Sequence, residues 1–278
     1  MNSYLKKLIF MFFVLILFNS FVLAENKQTP IKFGSVAMDI PAIMHKRLTP
    51  LTEYLSKELN RPIILKLSPN MGDAINAIAE SQVDFAYLTP VAYLKSHEQG
   101  NTRIVAKTLT NKKPYFQLMV VVRNDSPVKT IEDLVGKSFA FGDKRALLQQ
   151  AVVVGSGIKI ENFSKYDFLG HYDNIVRGVL NRDYDAGILK DTKAIKWKNK
   201  GIRIIYASPE LPPYNITASK NIDNKLFNKI QKAFTKLDIN NPKHQMVVKS
   251  LSNKYDGFIE TTDADYDVVR ELIKPFSK

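Results

Sequence analysis

The 278-residue sequence contains no cysteine, which excludes disulfide bonds, thiolate-bound zinc or iron–sulfur clusters, a cysteine nucleophile and a lipid anchor on cysteine. Its four histidines show no i, i+4 pair and no cluster of the kind that holds a metal ion. Acidic residues are also few, 27 against 40 lysines and arginines, and the formal net charge is +13. We therefore predict no metal site and no cofactor. The excess of positive charge indicates an anionic partner: nucleic acid, a membrane surface or a small oxyanion.

Enzyme motifs are missing as well. Residues 136–138 resemble the end of a phosphate-binding P-loop, but Ile131 stands where the first glycine of that motif is needed. Residues 155–157 do not form the G-x-S-x-G pattern of a nucleophile elbow. With 45% apolar and 24% charged residues the composition is that of a globular protein. The sequence therefore predicts a folded protein that is not an enzyme.

The N-terminus has the pattern of an export signal. Lys6 and Lys7 precede an unbroken apolar run at residues 8–18, and a small-residue pattern ends at Ala24. This run is shorter than the roughly 20 residues that cross a bilayer. We predict a signal peptide over residues 1–24 and a soluble mature chain in the periplasm; an uncleaved anchor is the alternative. Export disfavours DNA and RNA, so we predict no nucleic-acid partner.

Short apolar strands alternate with amphipathic segments along the rest of the chain, which predicts α/β architecture with helices on both faces of a sheet. Thr89 and Pro90 are typical of a helix start. Residues 147–154 read as a helix, although their valines also fit a strand. The predicted strands lie at 31–36, 63–67, 83–88, 104–106, 116–122, 138–141, 166–169, 186–189 and 202–206. The other predicted helices lie at 47–59, 71–79, 131–134, 171–180, 224–237 and 263–273.

Two interruptions divide this pattern into two lobes. Residues 123–127 (RNDSP) look like a first crossing, and the prolines within residues 209–213 mark a second. We predict lobe 1 over residues 25–122 plus 218–278 and lobe 2 over residues 123–217, each a mostly parallel sheet flanked by helices, with the C-terminal helices packed on lobe 1. Two lobes joined by two crossings are typical of a hinged binding protein, whose ligand lies at strand ends and helix N-termini.

Five ordered stretches carry a resemblance to a known family. They are IKFG at 31–34, VDFAYLTPVAY at 83–93, IEDLVGKSFAFGD at 131–143, GHYDNIV at 170–176 with DAG at 185–187, and SPELPPY at 208–214. In this order and spacing the chain resembles the periplasmic phosphonate/phosphate/phosphite-binding proteins of ABC importers, a branch of the type II solute-binding fold. The resemblance implies a monomer that closes around a small oxyanion between its lobes and presents it to a membrane permease.

The resemblance also implies ligand-binding residues on both lobes. Thr89 begins a helix whose N–H groups can face an anion, and Tyr93 matches a family tyrosine that faces the cleft. Met71 stands where the family often has a tyrosine at a helix start. His171 and Asp173 match a His-Asp pair at the start of a lobe 2 helix.

The segment after the FGD strand end departs from the family. A Ser-Thr-Ser-Gly-like stretch cradles the oxyanion there in the family, whereas this chain has Lys144 and Arg145. The arginine fork suits a phosphoryl or carboxylate group; a solvated loop on a basic protein is the alternative. We expect Asp143 to cap the following helix, and Asp191, at another strand end, is a further ligand candidate. A periplasmic sensory module that signals to a membrane-bound kinase or cyclase is the alternative function.

Overall fold

The computed structural model describes residues 29–36 and 40–276. The predicted signal peptide lies outside the described residues. From Ile31 onward the chain forms one compact unit, which contains two β-sheets.

The first sheet has six strands. They are β1 (Ile31–Val36), β2 (Ile63–Ser68), β3 (Phe85–Leu88), β4 (Arg103–Thr110), β10 (Asn215–Ala218) and β11 (Tyr255–Glu260). Their order is β11-β4-β10-β3-β1-β2. β1 is parallel to β2 and to β3, whereas β10 is antiparallel to β3 and β4, and β11 is antiparallel to β4.

The second sheet has five strands. They are β5 (Leu118–Arg123), β6 (Ser138–Phe141), β7 (Lys165–Phe168), β8 (Ala186–Lys190) and β9 (Ile202–Ala207), in the order β7-β6-β8-β5-β9. β6 is parallel to β7 and β8, and β5 is antiparallel to β8 and β9. Both sheets are therefore mixed, where the sequence predicts mostly parallel ones. The antiparallel pairs arise because the chain crosses between the sheets and returns in the opposite direction.

Helices flank both sheets. The α-helices are α1 (Pro41–Leu59), α2 (Met71–Ala79), α3 (Pro90–Gly100), α4 (Leu147–Gly155), α5 (Tyr172–Leu180), α6 (Asp191–Trp197), α7 (Asn224–Thr235), α8 (Pro242–Leu251) and α9 (Asp267–Ile273). Single 3-10 turns lie at Glu132–Leu134, Ile160–Asn162, Asp263–Tyr266 and Lys274–Phe276. The α/β class predicted from the alternating pattern is confirmed.

Local sequence explains several helix ends. The Thr89 hydroxyl accepts a hydrogen bond from Ala92 N–H, and Pro90 occupies the first position of α3, as predicted. Asn70 caps α2 in the same way through Asp73 N–H. α1 starts six residues before the predicted helix because Pro41, like Pro90, suits a first turn.

The core of the six-stranded sheet follows the predicted periodicity. The leucines of α1 at helical spacing, Leu48, Leu51, Leu55 and Leu59, are all buried. They belong to one apolar cluster with Phe33 and Phe85, whose rings stack at 4.8 Å. Burial of such side chains contributes about 1.5–3 kcal/mol each, so this stripe holds α1 on the sheet.

The chain crosses between the sheets earlier than predicted. β5 belongs to the five-stranded sheet, where it lies between β8 and β9, so the first crossing occupies residues 111–117 rather than 123–127. Its run of apolar residues at 118–122 is buried throughout because β8 and β9 pair with it on either side. The return crossing lies at residues 208–214, where the prolines predict it. β10, α8 and β11 were not among the predicted elements.

The C-terminal helices do not share one neighbour. α7 packs against α1, β4 and β11, on the six-stranded sheet. α9 packs against α4, which follows β6 of the five-stranded sheet, and against α3. The expectation that the whole tail covers the first lobe is therefore wrong for α9. Val269 and Ile273 of α9 belong to the same buried apolar cluster as Val152 of α4. Residues from elements of both sheets contribute to this cluster.

Candidate functional site

Parallel pairing brings the lobe 2 candidates to one edge of the five-stranded sheet. β7, β6 and β8 are neighbours and run in the same direction, so their carboxyl ends lie side by side. His171 follows β7, Lys144 and Arg145 follow β6, and Asp191 follows β8. This sheet edge is where ligands bind in open α/β sheets.

The six-stranded sheet has a corresponding edge. β2, β1 and β3 are parallel neighbours. Met71 begins α2 after β2, and Thr89 caps α3 after β3. Met71 is partly buried against the apolar cluster under α2. Both predicted lobe 1 positions therefore lie at one edge of their sheet, and Thr89 orders the start of its helix.

Three tyrosines pack together beside this edge. The hydroxyls of Tyr87 in β3 and Tyr255 in β11 are 2.5 Å apart, and the ring of Tyr214 stacks on that of Tyr87 with centroids 5.0 Å apart. Burial raises the pKa of Tyr87 well above its usual value, raises that of Tyr255 to about 12 and raises that of Tyr214. These hydroxyls are therefore neutral near pH 7, and a neutral hydroxyl can donate to an anion.

Tyr172 faces this group from the five-stranded sheet. Burial, with smaller contributions from Tyr214 and Asp191, raises the pKa of Tyr172 to about 12. Tyr214 lies in the return crossing, and its own pKa is raised by burial and by the carboxylate of Asp143. Tyr172 lies at the strand ends of the five-stranded sheet, and Tyr214 lies in the crossing that leads to the six-stranded sheet. The two side chains therefore connect these two parts of the protein.

Gln149 holds Tyr172 to the end of β6. Its Oε1 accepts the N–H of Gly142 at 2.7 Å, and its Nε2 lies 3.5 Å from the Tyr172 hydroxyl. A Cβ at position 142 would lie 2.7 Å from Nε2 of Gln149, so only glycine allows this close approach. The buried glutamine is thus fixed at the site, although its sequence context gave no sign of this role.

The loop after β6 is arranged differently from the prediction. Arg145 donates to Asp143 from its backbone N–H at 2.9 Å, from Nε at 3.1 Å and from a terminal nitrogen at 2.8 Å. These bonds, with a smaller contribution from His171, lower the pKa of Asp143. The expected capping of α4 by Asp143 is wrong, since Ala146 is the N-cap and no side chain caps that helix. Lys144 is exposed, whereas the fork of Arg145 is held by its neighbour.

The predicted His-Asp pair separates in the structure. His171 is the N-cap residue of α5 and is exposed, with its N–H donated to the Leu169 carbonyl at 2.9 Å. Asp173 pairs with Lys193 at 2.7 Å, and this hydrogen bond lowers its pKa. His171 therefore remains available at the sheet edge, whereas Asp173 is neutralised by a lysine of α6.

Tyr93 and Asp191 have protein partners. Tyr93 is fully buried, and its hydroxyl donates to Asp263 at 2.6 Å. The Oδ2 of Asp191 accepts the N–H of Gln117 at 3.1 Å, and its Oδ1 accepts the N–H of Thr192 at 2.6 Å. Asp191 thus anchors the start of α6 to the first crossing.

The sequence interpretation missed five polar residues of the candidate site: Tyr87, Tyr255 and Gln149, which are buried, and Tyr172 and Tyr214, which are half-buried. Three of the tyrosines stand within the motifs that carry the resemblance, at 83–93, 170–176 and 208–214, so proximity to a motif is the signal that pointed to them. Within residues 29–36 and 40–276, no group of three or more acidic or histidine side chains is placed to hold a metal ion. In the same segments, no helix has the length and apolar character that crossing a membrane requires.

Comparisons with known proteins agree with this architecture. The chain superimposes on PhnD1 from Prochlorococcus marinus, solved with methylphosphonate, with a TM-score of 0.67 at 18% identity, covering 89% of this chain and 98% of that one. A binding component of an ABC phosphonate transporter from Pseudomonas aeruginosa gives 0.64 at 18% identity, over 88% and 85% of the two chains. XAC2383 from Xanthomonas citri, solved with ATP, gives 0.71 at 17% identity, over 88% and 96%. At these identities the three structures establish the type II binding-protein fold.

The family is established by the sequence match. The model described as "ABC transporter, phosphonate, periplasmic substrate-binding protein" matches residues 33–266. None of these comparisons supports the kinase or cyclase alternative. Because the match spans most of the chain, this protein belongs to the family of periplasmic substrate-binding proteins of phosphonate ABC transporters, which capture a small ligand for a membrane permease and are not enzymes.

Proposed function

We propose that this chain binds a small phosphonate-like oxyanion where the strand ends of its two sheets meet. The observation that carries the proposal is the group of Tyr87, Tyr214, Tyr255 and Tyr172, with Gln149 fixed beside it. Neutral hydroxyls can donate to an anionic ligand, and the fixed orientation of these groups lowers the entropic cost of binding. Closure of the two sheets around the ligand would present one composite surface to the permease.

The predicted site residues contribute to this proposal to different degrees. Thr89 and Met71 border the site on the six-stranded sheet, and His171 borders it on the other. Arg145 can bind a ligand with its side chain only if its hydrogen bonds to Asp143 break. We also retain as proposals the signal peptide over residues 1–24 and a monomeric mature protein with two lobes. Each lobe follows one sheet, with crossings at residues 111–117 and 208–214 in place of the predicted bounds at 122/123 and 217/218.

The test is a titration of mature protein (residues 25–278) with methylphosphonate, 2-aminoethylphosphonate, phosphate and phosphite. Thermal shift screens the ligands, because a ligand at 100 times its Kd stabilises the native state by about 2.7 kcal/mol. Calorimetry then compares wild type with Tyr172→Phe and Tyr214→Phe, which remove one hydroxyl each. Tyr166→Phe, an exposed tyrosine of edge strand β7, is the matched control.

We expect at least one phosphonate to bind and each site variant to weaken it about fivefold to tenfold, the effect of one lost hydrogen bond. The control is expected to bind like wild type. If no oxyanion stabilises the wild-type protein, the proposed ligand class is wrong. If a phosphonate binds but both site variants match the control, the ligand lies elsewhere.

A further inference from the structure

Lys190 is a half-buried cation at the same sheet edge. It is the last residue of β8, and its Nζ lies 4.7 Å from the centroid of the Phe116 ring, in the first crossing. Burial and the positive charge of Lys254 lower its pKa, while Asp191 acts in the opposite direction. These two are the charged side chains whose fields reach Lys190. Its ammonium group is therefore partly desolvated.

The neighbouring acids are already occupied. Asp191 accepts two backbone N–H groups, and Asp173 pairs with Lys193. Among the ion pairs of the described chain none includes Lys190. A half-buried ammonium without a carboxylate is costly, and the face of one aromatic ring compensates only part of that cost. An anion that enters the site supplies the missing partner.

A second cation approaches from the other sheet. Lys254 directly precedes β11, and its field opposes the protonated form of Lys190. These two like charges repel each other until an anion neutralises them. Tyr172 begins α5, which packs against β8, and the field of Asp191 reaches both Tyr172 and Lys190. Hydroxyl donors and positive charge therefore lie close together at this end of the strands.

We propose that Lys190 is a ligand-binding residue that makes the site selective for a doubly charged oxyanion, a phosphonate or phosphate ester, over singly charged sulfonates and carboxylates. This inference rests on the proposed function and concerns the same site. The tyrosines and Gln149 are neutral donors that do not distinguish a dianion from a monoanion of the same shape. Lys190 does distinguish them, since its interaction grows with the ligand's charge.

The test compares methylphosphonate with methanesulfonate, which have the same shape and differ by one charge, at about pH 9, below the usual lysine pKa. Three variants are titrated by calorimetry. Lys190→Met removes the charge at similar length, and Lys190→Arg keeps it. Lys200→Met is the matched control. Residue 200 precedes β9, which runs in the same direction as β8, so it lies at the opposite end of the strands from Lys190. Each titration is repeated in two buffers of different ionisation enthalpy, which measures protons taken up on binding.

We expect wild type and Lys200→Met to prefer methylphosphonate and to take up a fraction of a proton, because a bound dianion raises the pKa of the adjacent lysine. Lys190→Met is expected to bind methylphosphonate about tenfold to hundredfold more weakly, to lose most of the preference and to take up no proton. Lys190→Arg is expected to keep the preference but take up no proton, because arginine stays charged. If Lys190→Met does not fold, the arginine variant decides the question alone.

Proton uptake that persists in Lys190→Arg, or a preference unchanged in a folded Lys190→Met, would overturn the inference while leaving the proposed function intact. A wild-type protein that binds methanesulfonate as tightly as methylphosphonate would do the same. A wild-type protein that binds neither methylphosphonate nor the other oxyanions of the screen overturns the proposed function, and this inference with it.

Discussion

The hydroxyl of Tyr93 donates a hydrogen bond to the carboxylate of Asp263 at 2.6 Å. Tyr93 belongs to α3, which begins where β3 ends, and Asp263 begins the 3-10 turn that leads into α9. Arg270 donates to both oxygens of the same carboxylate, at 2.9 and 3.0 Å. The bond between Tyr93 and Asp263 therefore links two segments that are 170 residues apart in the sequence. One is a helix that flanks the six-stranded sheet, and the other is the C-terminal segment that packs on α4.

Replacing Tyr93 with Phe tests whether this side chain serves stability or binding. The loss of one buried hydrogen bond should cost about 1 kcal/mol of unfolding free energy, while phosphonate affinity stays at the wild-type value. Urea unfolding and calorimetry measure the two effects, and Tyr166→Phe is again the control. Weaker binding at unchanged stability would restore the original prediction that Tyr93 faces the ligand.

Asp263 should make stability depend on pH in acid. Burial opposes its ionisation, but hydrogen bonds from Tyr93 and Arg270 and the charge of Arg270 outweigh burial and lower its pKa. A carboxyl with a lowered folded-state pKa stabilises the protein above its unfolded-state pKa, about 3.9, and this stability is lost as pH falls through the folded-state value. Asp263→Asn should therefore reduce stability at neutral pH and flatten its decline below about pH 4.

Urea unfolding over that pH range measures the effect. The control is Asp183→Asn, an exposed aspartate after α5, which should follow the wild-type curve. An Asp263→Asn protein that loses stability in acid as steeply as wild type would show that this carboxyl does not contribute.

Gly142→Ala should disturb the site through Gln149. The new methyl group would meet Nε2 of Gln149 at 2.7 Å, so the glutamine must move and lose its bond to residue 142. We expect a loss of about 1 kcal/mol in stability and weaker phosphonate binding. In Gly142→Ala combined with Gln149→Ala the clash is absent, so the two costs should be less than additive. Additive costs would show that the close approach is unimportant.

Asp143→Asn should strengthen oxyanion binding. The change removes a negative charge from the sheet edge and releases the arginine fork that Asp143 holds. We expect affinity for methylphosphonate to rise several-fold at low salt and less at high salt, where charges are screened. Calorimetry at two salt concentrations measures this. Asp167→Asn, in edge strand β7, controls for the change in net charge. Unchanged or weaker binding by Asp143→Asn would count against a ligand role for Arg145.

Sequence periodicity was sufficient for the elements whose burial follows from local pattern. The α1 leucines, the Thr89-Pro90 helix start and the strands near the motifs are all where the sequence predicts them. Each of these depends on interactions within a few residues or on one buried face. β10 and β11 were missed because they are short or polar. They are strands because other strands pair with them: β10 lies between β3 and β4, and β11 pairs with the other side of β4.

The sequence by itself determined the α/β class, the family, and the set of strand ends that carry His171, Arg145 and Asp191. The tertiary structure decided which of these side chains are free. Arg145, Asp173 and Tyr93 already have partners, and those of Asp173 and Tyr93 come from distant parts of the chain. A side chain's partner depends on which segments pack against it, and periodicity carries no information about contacts over 20 or 170 residues of separation. For the same reason, the site tyrosines and Lys190 could be identified only from the tertiary structure, in which the strand ends and the crossings lie close together.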